Sequence, residues 1–385
     1  MNIIAVSMVK NEEDIIELFC RYTLGFSDKL LLIEDNSDDR TPEILGSLIE
    51  EGLDIVLAEN SFSLGFYSCD KVNGLIKKAF EEYEADLVVP LDADEFVTTD
   101  TGNCVRGILE GLRSDIRYLF PWRTYVLTEE ASSSGGSVFE RFDRYRPPEL
   151  EEWHKLTVSR ELFMNDGYRI GLGKHELEPS PESPEREEVV SGDLLFAHFP
   201  IRGIGQASGK IIIGWLNYMC MPDTMRKSGH WPIMYDSIKN EGRLTAKQAE
   251  HHSFYYSVFS KDVDKSGGDF SARLIHMPID TDPVAEKSKL MLKYTPEQDG
   301  DYLRIGLLLP HIEKMIAAFK VERDEYEWEI SYLVRMVNML RKENEETVSA
   351  VAAETERTLK ESNTWRAGRI VTAPMRLIKK ALSRN

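Results

Sequence analysis

The stretch LVVPLDADEFV, residues 87–97, is apolar until it sets down Asp92, Asp94 and Glu95 in close succession. Two carboxylates one residue apart at a strand end can share a divalent cation, because hard oxygen ligands suit Mg²⁺ or Mn²⁺ and the pair offsets the ion's charge. A cation held there could in turn hold a diphosphate. Taken alone, D-x-D also describes a solvated turn, so its meaning depends on what the rest of the chain places beside it.

The elements around the motif give it a position. NIIAVSMV reads as a buried strand, EEDIIELFCRYTLG as a helix and KLLLIED as a second strand, from apolar periods of two and of 3.6 residues. SDDRTPEILGSLIEEG has a Ser/Asp start, Pro42 in the first turn and a Gly stop, the punctuation of a helix. LDIVLAE is a third strand, YSCDKVNGLIKKAFEEYE a helix and ADLVVPLDADEF a fourth strand. Strands separated by helices imply a parallel sheet with helices on its faces, whose ligands bind beyond the carboxyl ends of the strands. Asp92 and Asp94 are therefore expected where a strand leaves the core and enters that crevice. Farther on, IRYLFPWRTYVL and HKLTVSREL read as shorter strands, while TEEASSSGGS and EPSPESPEREE read as loops.

Composition narrows the functions available. The chain has 385 residues, 42% hydrophobic and 29% charged, with a mean hydropathy of −0.34, which describes a soluble protein. The opening MNIIAVSMVKNEED has too little apolar length and the wrong charge order for a secretory signal. No segment approaches the roughly 20 apolar residues that a bilayer span needs; the longest run, IIIGWLNYMCM at 211–221, reads as a core helix. Cys20, Cys69, Cys104 and Cys220 are far apart, so neither a zinc site nor a disulfide framework is indicated, and a reducing cytoplasm is the simplest location. A net charge of −19 argues against general nucleic-acid binding, whose affinity comes from neutralising phosphates.

From about Pro310 the pattern changes class. Ile312, Ile316, Phe319, Arg323, Tyr326, Ile330, Leu333, Val337, Leu340, Asn344, Thr347 and Val351 recur in alternating steps of four and three. That heptad predicts a coiled coil and a parallel homodimer, with Asn344 fixing its register. A long amphipathic helix packed on the globular part is the alternative. In the final stretch, residues 363–385, Arg366, Arg369, Arg376, Lys379, Lys380 and Arg384 are interleaved with Trp365 and aliphatic residues, without an acid. Such a tail suits an anionic membrane surface at the cytoplasmic face; a disordered basic end that folds back on the acidic globular domain is the alternative. The expected organisation is a globular domain over residues 1–300, a coiled-coil helix over 308–360 and a basic amphipathic tail over 361–385.

VSMVKNEEDIIELFCRYTLGFSDKLLLIEDNSDDRTPEIL, followed by ADLVVPLDADEF and then by WHKLTVSREL and LLFAHFPIRGIGQASGK, resembles the family 2 glycosyltransferases. The likeness is to the bacterial subgroup whose motif ends D-x-D-E-F, and it covers about the first 215 residues. The order of four separated motifs is more specific than any one of them. The resemblance implies an α/β GT-A fold, a Rossmann-like nucleotide-diphospho-sugar transferase domain, here followed by the long C-terminal coiled coil. It implies a nucleoside diphosphate sugar as donor, Mn²⁺ or Mg²⁺ as cofactor, and transfer with inversion. Asp35 should then contact the nucleobase, with Asn11 and Glu12 lining the same pocket; read from the residues alone, Asp35 to Asp39 form a helix cap and Asx turn, with Ser37 or Asp38 as the cap. Lys71 should lie near the diphosphate, and Lys155 falls in the basic segment of the nucleotide site. Asp94 is expected as the direct metal ligand, with Asp92 nearer the ribose or a metal-bound water. His198 is expected as a further metal or diphosphate ligand and Arg202 as a counter-charge to phosphate.

Inverting transfer needs a base for the attacking hydroxyl and an electrophile for the departing diphosphate. GLGKHELE offers His175 and Glu176, and ELEEWHK offers Glu151, Glu152 and His154. His175 or Glu176 is favoured, because Gly171 and Gly173 let the backbone approach a substrate. The tail resembles the ends of glycosyltransferases that build bacterial surface polysaccharides, which implies a glycan or lipid-linked acceptor. A nucleotidyltransferase would need a Gly-rich loop with Arg after its first strand, and a dehalogenase-type phosphatase would carry D-x-D on its first strand. A catalytically silent scaffold working through the coiled coil is the alternative of a different class, against which Asp35, Asp92 and Asp94 speak.

Overall fold

The computed structural model describes residues 1–37, 39–59, 68–151, 153–220, 230–239, 244–258, 270–279 and 292–294. The heptads from Ile312, with the homodimer they predict, and the basic tail, with its membrane surface, lie outside the described residues. Along the chain, β1 (Ile3–Val9), α1 (Ile16–Thr23), β2 (Lys29–Glu34), α2 (Thr41–Glu50), β3 (Ile55–Leu57), α3 (Ser68–Glu82) and β4 (Leu87–Leu91) follow the expected alternation. They are succeeded by β5 (Glu95–Thr98), α4 (Val105–Glu110), β6 (Arg117–Thr124), α5 (Glu129–Ser133), α6 (Val138–Arg141) and β7 (Arg144–Tyr145). Short strands come next: β8 (His154–Leu156), β9 (Val158–Ser159), β10 (Arg169–Ile170), β11 (Leu177–Glu178), β12 (Glu188–Val190) and β13 (Leu195–His198). The last described elements are α7 (Ile204–Cys220), α8 (His230–Asp236), α9 (Ala246–Phe254) and β14 (Ile275–His276).

The first sheet has the order β3-β2-β1-β4-β9, parallel except for β9 at its edge. One face packs on α3: Ile4, Val6, Leu31, Ile33 and Val88 meet Val72, Leu75, Ile76 and Phe80 in one apolar cluster. Ile3, Ala5, Leu30 and Leu32 on the opposite face are buried as well, which is why these strands read as unbroken apolar runs. The second sheet has the order β12-β6-β13-β5, with β8 on β6.

The chain divides into two compact units. One comprises Met1–Ser63, Tyr67–Arg202 and Ala249–Glu297 and contains both sheets; Gly203–Gln248 belong to the other. In the second unit, α7 carries the long apolar run as a helix, as expected, and Trp215 stacks on Tyr235 of α8 at 5.0 Å.

Four local expectations differ from the structure. The stretch ADLVVPLDADEF is not one strand: β4 ends at Leu91, Asp92–Asp94 turn, and Glu95 opens β5, which pairs antiparallel with β13 in the second sheet. HKLTVSREL is likewise divided, β8 pairing with β6 and β9 with β4. TEEASSSGGS holds the short helix α5, because the Thr128 hydroxyl accepts the Ala131 N–H as an N-cap. Ser37 does not cap α2: the residue before the helix is Arg40, without a side-chain cap, and the Asp39 carboxylate accepts the Thr41 N–H at 2.9 Å. Ser37 accepts the Asn11 N–H, and Asp38 lies outside the described residues.

Phe96 fixes the second half of the motif. Its ring meets Tyr22 at 5.2 Å, Phe139 at 4.8 Å and Phe199 at 5.7 Å, and Tyr22 donates its hydroxyl to the Val97 carbonyl at 2.8 Å. Tyr22→Phe removes that buried bond and is expected to cost about 1 to 2 kcal/mol, read as a lower urea midpoint with an unchanged slope.

Candidate functional site

The carboxyl ends of β1, β2 and β4 lie side by side in the parallel sheet, in register from Val9↔Glu34 and Ser7↔Leu91. Beyond β2, the Asp35 carboxylate takes the Lys71 ammonium at 3.1 Å. The Lys10 ammonium donates to the Asp35 and Asn36 carbonyls at 2.6 and 3.0 Å. Asn11 and Asn36 hold left-handed backbone, with φ of +55° and +56°, a conformation that asparagine tolerates better than most residues. The structure thus brings Asn11, Asp35 and Lys71 to one sheet end.

Past β4 the motif divides between two environments. Asp92 gives one carboxylate oxygen to Lys174 at 2.5 Å and the other to Lys155 at 3.0 Å. Burial pushes the Asp92 carboxyl up, but the two ammonium groups outweigh it and hold it well below the usual carboxylate range. Lys155 also meets Glu95 at 2.8 Å and lies 5.2 Å over the Trp122 ring. Burial pulls the Lys155 ammonium down, and Asp92 and Glu95 more than reverse it. Glu95 is fully buried and accepts from the Trp122 indole N–H and from the Asp92 backbone N–H, each at 3.0 Å. Glu95 therefore holds the turn closed and the indole in place.

Asp94 points elsewhere. Its carboxylate is 3.9 Å from His198 Nε2 and 3.7 Å from Arg202. His198 stacks on Trp122 with centroids 4.3 Å apart. Arg202 is fully buried and donates bidentately to Asp14, at 2.7 and 2.8 Å, and to Glu12 at 2.5 Å. Its guanidinium thus ties the loop after β1 to the segment after β13. Among the described residues no set of three or more His, Cys, Asp and Glu side chains is arranged as a metal cage. The Asp94 carboxylate and the His198 imidazole, 3.9 Å apart, are of the ligand types that Mn²⁺ takes. Asp92, with both oxygens on lysines, is not placed to share that ion.

The proposed bases separate. Glu151 gives both carboxylate oxygens to Arg146 and Thr124, with Arg146 at 2.6 Å, so it anchors β6 to the following loop. Glu152 lies outside the described residues. Glu176 is exposed, and its carbonyl accepts the Gly171 N–H at 3.0 Å, closing the loop between β10 and β11. His175 Nδ1 is 3.0 Å from the His154 carbonyl, so Nδ1 carries the proton and Nε2 the lone pair. Burial pushes the imidazole down to about 3, with Lys155 acting in the same direction. At neutral pH it is an uncharged acceptor, too weakly basic to match the general base expected of it. Gly173, at φ +79°, makes room for this ring rather than for a substrate, since a Cβ there would lie 2.7 Å from His175 Cδ2.

A neutral His175 makes stability pH-dependent. Its folded pKa lies below the unfolded value, so the unfolded chain binds more protons as the pH falls from 6.5 toward 3 and folding weakens over that window. Between pH 7 and pH 5 the loss from this residue is expected to be roughly 2 kcal/mol, and His175→Asn should flatten the pH profile of the denaturation midpoint by that amount.

No protein-family model matches this sequence, and no curated protein matches it. Several solved structures align in part. GalNAc-T7 with UDP, GalNAc and Mn²⁺ aligns at 12% identity over 51% of this chain and 43% of its own, with a TM-score of 0.32. The mannosyltransferase PcManGT from Pyrobaculum calidifontis, in complex with GDP-Man and Mn²⁺, aligns at 14% identity over 57% of this chain and 62% of its own, at 0.33. HddC from Yersinia pseudotuberculosis aligns at 12% identity over 51% of this chain and 93% of its own, at 0.30. This chain spans less than two thirds of the length of the first two. None of the three TM-scores reaches 0.5, so the chemistry must be read from this chain's own residues.

Lys174 and Trp122 carry roles that their sequence positions did not single out. Lys174 stands inside GLGKHELE beside the residues that drew attention, at φ +61°. A lysine there is strained by on the order of 1 kcal/mol or more, offset by its contacts with Asp92 and, at 2.9 Å, the Leu91 carbonyl. Trp122 lies in the strand IRYLFPWRTYVL, where nothing local marks it as the partner of Glu95 and His198.

Proposed function

We propose that the chain is a metal-dependent glycosyltransferase of GT-A fold that moves a sugar, with inversion, from a nucleoside diphosphate sugar to a glycan or lipid-linked acceptor. The observation that carries the reading is the convergence at one end of a parallel sheet. Asp35 and Asn11 follow β2 and β1, the paired motif follows β4, and Asp94 with His198 faces away from the lysine-bound Asp92. Such sheets bind ligands beyond their carboxyl ends.

In this reading Asp35 and Asn11 receive the nucleoside, and Lys71, bridged to Asp35, lies toward its phosphates. Asp94 and His198 would hold Mn²⁺ or Mg²⁺, which when bound offsets the charge of the departing diphosphate. Arg202 fixes Glu12, Asp14 and the Asp94 turn relative to one another, so the site is set before the substrate arrives. Trp122 orients the His198 ring. Glu176, exposed on the loop that also carries His175, is the remaining carboxylate of that loop for taking the proton of an acceptor hydroxyl.

Thermal-shift screening of UDP-, GDP-, dTDP- and CMP-sugars with and without Mn²⁺, followed by turnover of any stabilising donor, tests the reading. One nucleotide is expected to raise Tm only with the metal present. Stabilisation undiminished by excess EDTA would remove the metal from the proposal, and no stabilisation by any donor would remove the glycosyltransferase.

A further inference from the structure

Glu17 is a buried acid with no part in the strand-end site. It lies in the first turn of α1, its side chain 4% exposed, beside the buried Ile16, Leu18, Phe19 and Cys20. A carboxylate withdrawn from water is costly unless its oxygens are hydrogen-bonded. Arg21, one turn on, donates its Nε–H at 2.9 Å. The rest of the acceptor capacity goes to a segment remote in the chain. The Lys293 backbone N–H lies 3.0 and 2.9 Å from the two oxygens, and the Tyr294 N–H donates at 2.8 Å.

The same two residues are met a second time through their side chains. Arg21 reaches past Glu17 to Glu51, at the end of α2, at 2.8 Å. Glu51 in turn takes the Lys293 ammonium at 2.9 Å and the Tyr294 hydroxyl at 3.5 Å. Lys293 and Arg21 hold the Glu51 carboxyl below its usual range. Glu17 thus reads two consecutive backbone N–H groups, and Glu51 reads a cation followed by a hydroxyl. The register cannot advance by two residues, because Pro296 has no N–H to give. Little apolar area holds the segment: Leu292 remains 37% exposed and the Lys293 side chain 60%.

We propose that Glu17, Arg21 and Glu51 form a docking site for a short Lys-Tyr segment, and that Lys293–Tyr294 of the same chain occupy it as a latch that opens without unfolding the first sheet. A contact built from hydrogen bonds and ion pairs at the surface, with little buried apolar area, is the kind that opens locally. Lys293 and Tyr294 come shortly before residue 298, where the chain passes into its other unit. The latch therefore fastens the end of the first unit to α1. The site stands whether or not the chain transfers a sugar.

A carbodiimide joins an ammonium group to a carboxylate in contact with it as an amide, with loss of water, and so reads the latch in the full chain. Mass spectrometry should find a Glu51–Lys293 link in the wild type, within one chain when isotope-labelled and unlabelled protein are mixed. Tyr294→Pro, which removes one N–H and leaves α1 intact, should lower the yield, as should Glu17→Ala. Hydrogen exchange supplies a second measurement. In Glu17→Ala the Lys293 and Tyr294 amides should exchange about tenfold or more faster, the scale of a lost hydrogen bond to a charged group. In the wild type their exchange should stay level in low urea while the β1 and β4 amides accelerate, because a local opening exposes little surface. Absence of the link, or unchanged exchange in Glu17→Ala, overturns the docking site. A link between labelled and unlabelled chains gives the site to a second copy and overturns the own-chain latch. Exchange that accelerates with urea in step with β1 makes the contact ordinary packing and overturns the latch as well.

Discussion

Asp94→Asn is expected to lower sugar transfer by about 10²-fold or more, the scale on which loss of one preorganised electrostatic group acts, with little change in Tm. The carboxylate is nearly buried and faces His198 at 3.9 Å and Arg202 at 3.7 Å; in the glycosyltransferase reading proposed above it is the oxygen donor that would join the imidazole on a divalent ion. The substitution keeps the volume of the side chain. Arg202 retains Asp14 and Glu12, which hold it at shorter distances, so no buried guanidinium is left without a carboxylate. The Asp94 carbonyl, which accepts the Phe199 N–H at 2.8 Å, is unaffected. Steady-state turnover with Mn²⁺ and a melting curve on the same sample separate the two effects. Turnover equal to wild type would take Asp94 out of the mechanism, and a large fall in Tm would make it a structural residue.

Lys155→Met should destabilise the fold by about 3 to 5 kcal/mol, the usual consequence of removing one partner of a buried ion pair. Glu95 is fully buried, and the Lys155 ammonium meets its carboxylate at 2.8 Å. Burial already raises the Glu95 carboxyl to about 7, with Lys155 opposing that rise, so without the ammonium group the residue must take up a proton or remain an unpaired buried charge. Adding Glu95→Gln to Lys155→Met should restore part of the loss, because the amide oxygen can still accept the Trp122 indole N–H while no charge is left behind. A double-mutant cycle in urea reads the coupling directly. Additive effects would mean that the two side chains do not act as a pair.

Much of the scaffold was legible in the order of residues. The strands of the first sheet are buried on both faces and so write themselves as apolar runs, and α3 writes its apolar stripe at helical spacing; both are local consequences of burial. The strand-end positions of Asp35, Asp92 and Asp94 follow from the same alternation. The break at Asp92 was less visible, because β4 and β5 are both apolar and differ only in the sheet to which each pairs.

The sequence by itself determined the parallel sheet, the end of it at which polar residues collect, and the chemical types gathered there. Only the tertiary structure decided which charge meets which. Arg202 finds Glu12 across 190 residues of chain, and Lys155 finds Asp92 across 63. Lys174 reaches the same carboxylate from a left-handed turn across 82 residues, and the two indoles enclose His175. A carboxylate beside an ammonium group in low dielectric is a counter-ion, and the same carboxylate beside an imidazole is a prospective metal ligand. That difference lies in distances of a few ångströms between segments remote in the chain, which no local period encodes.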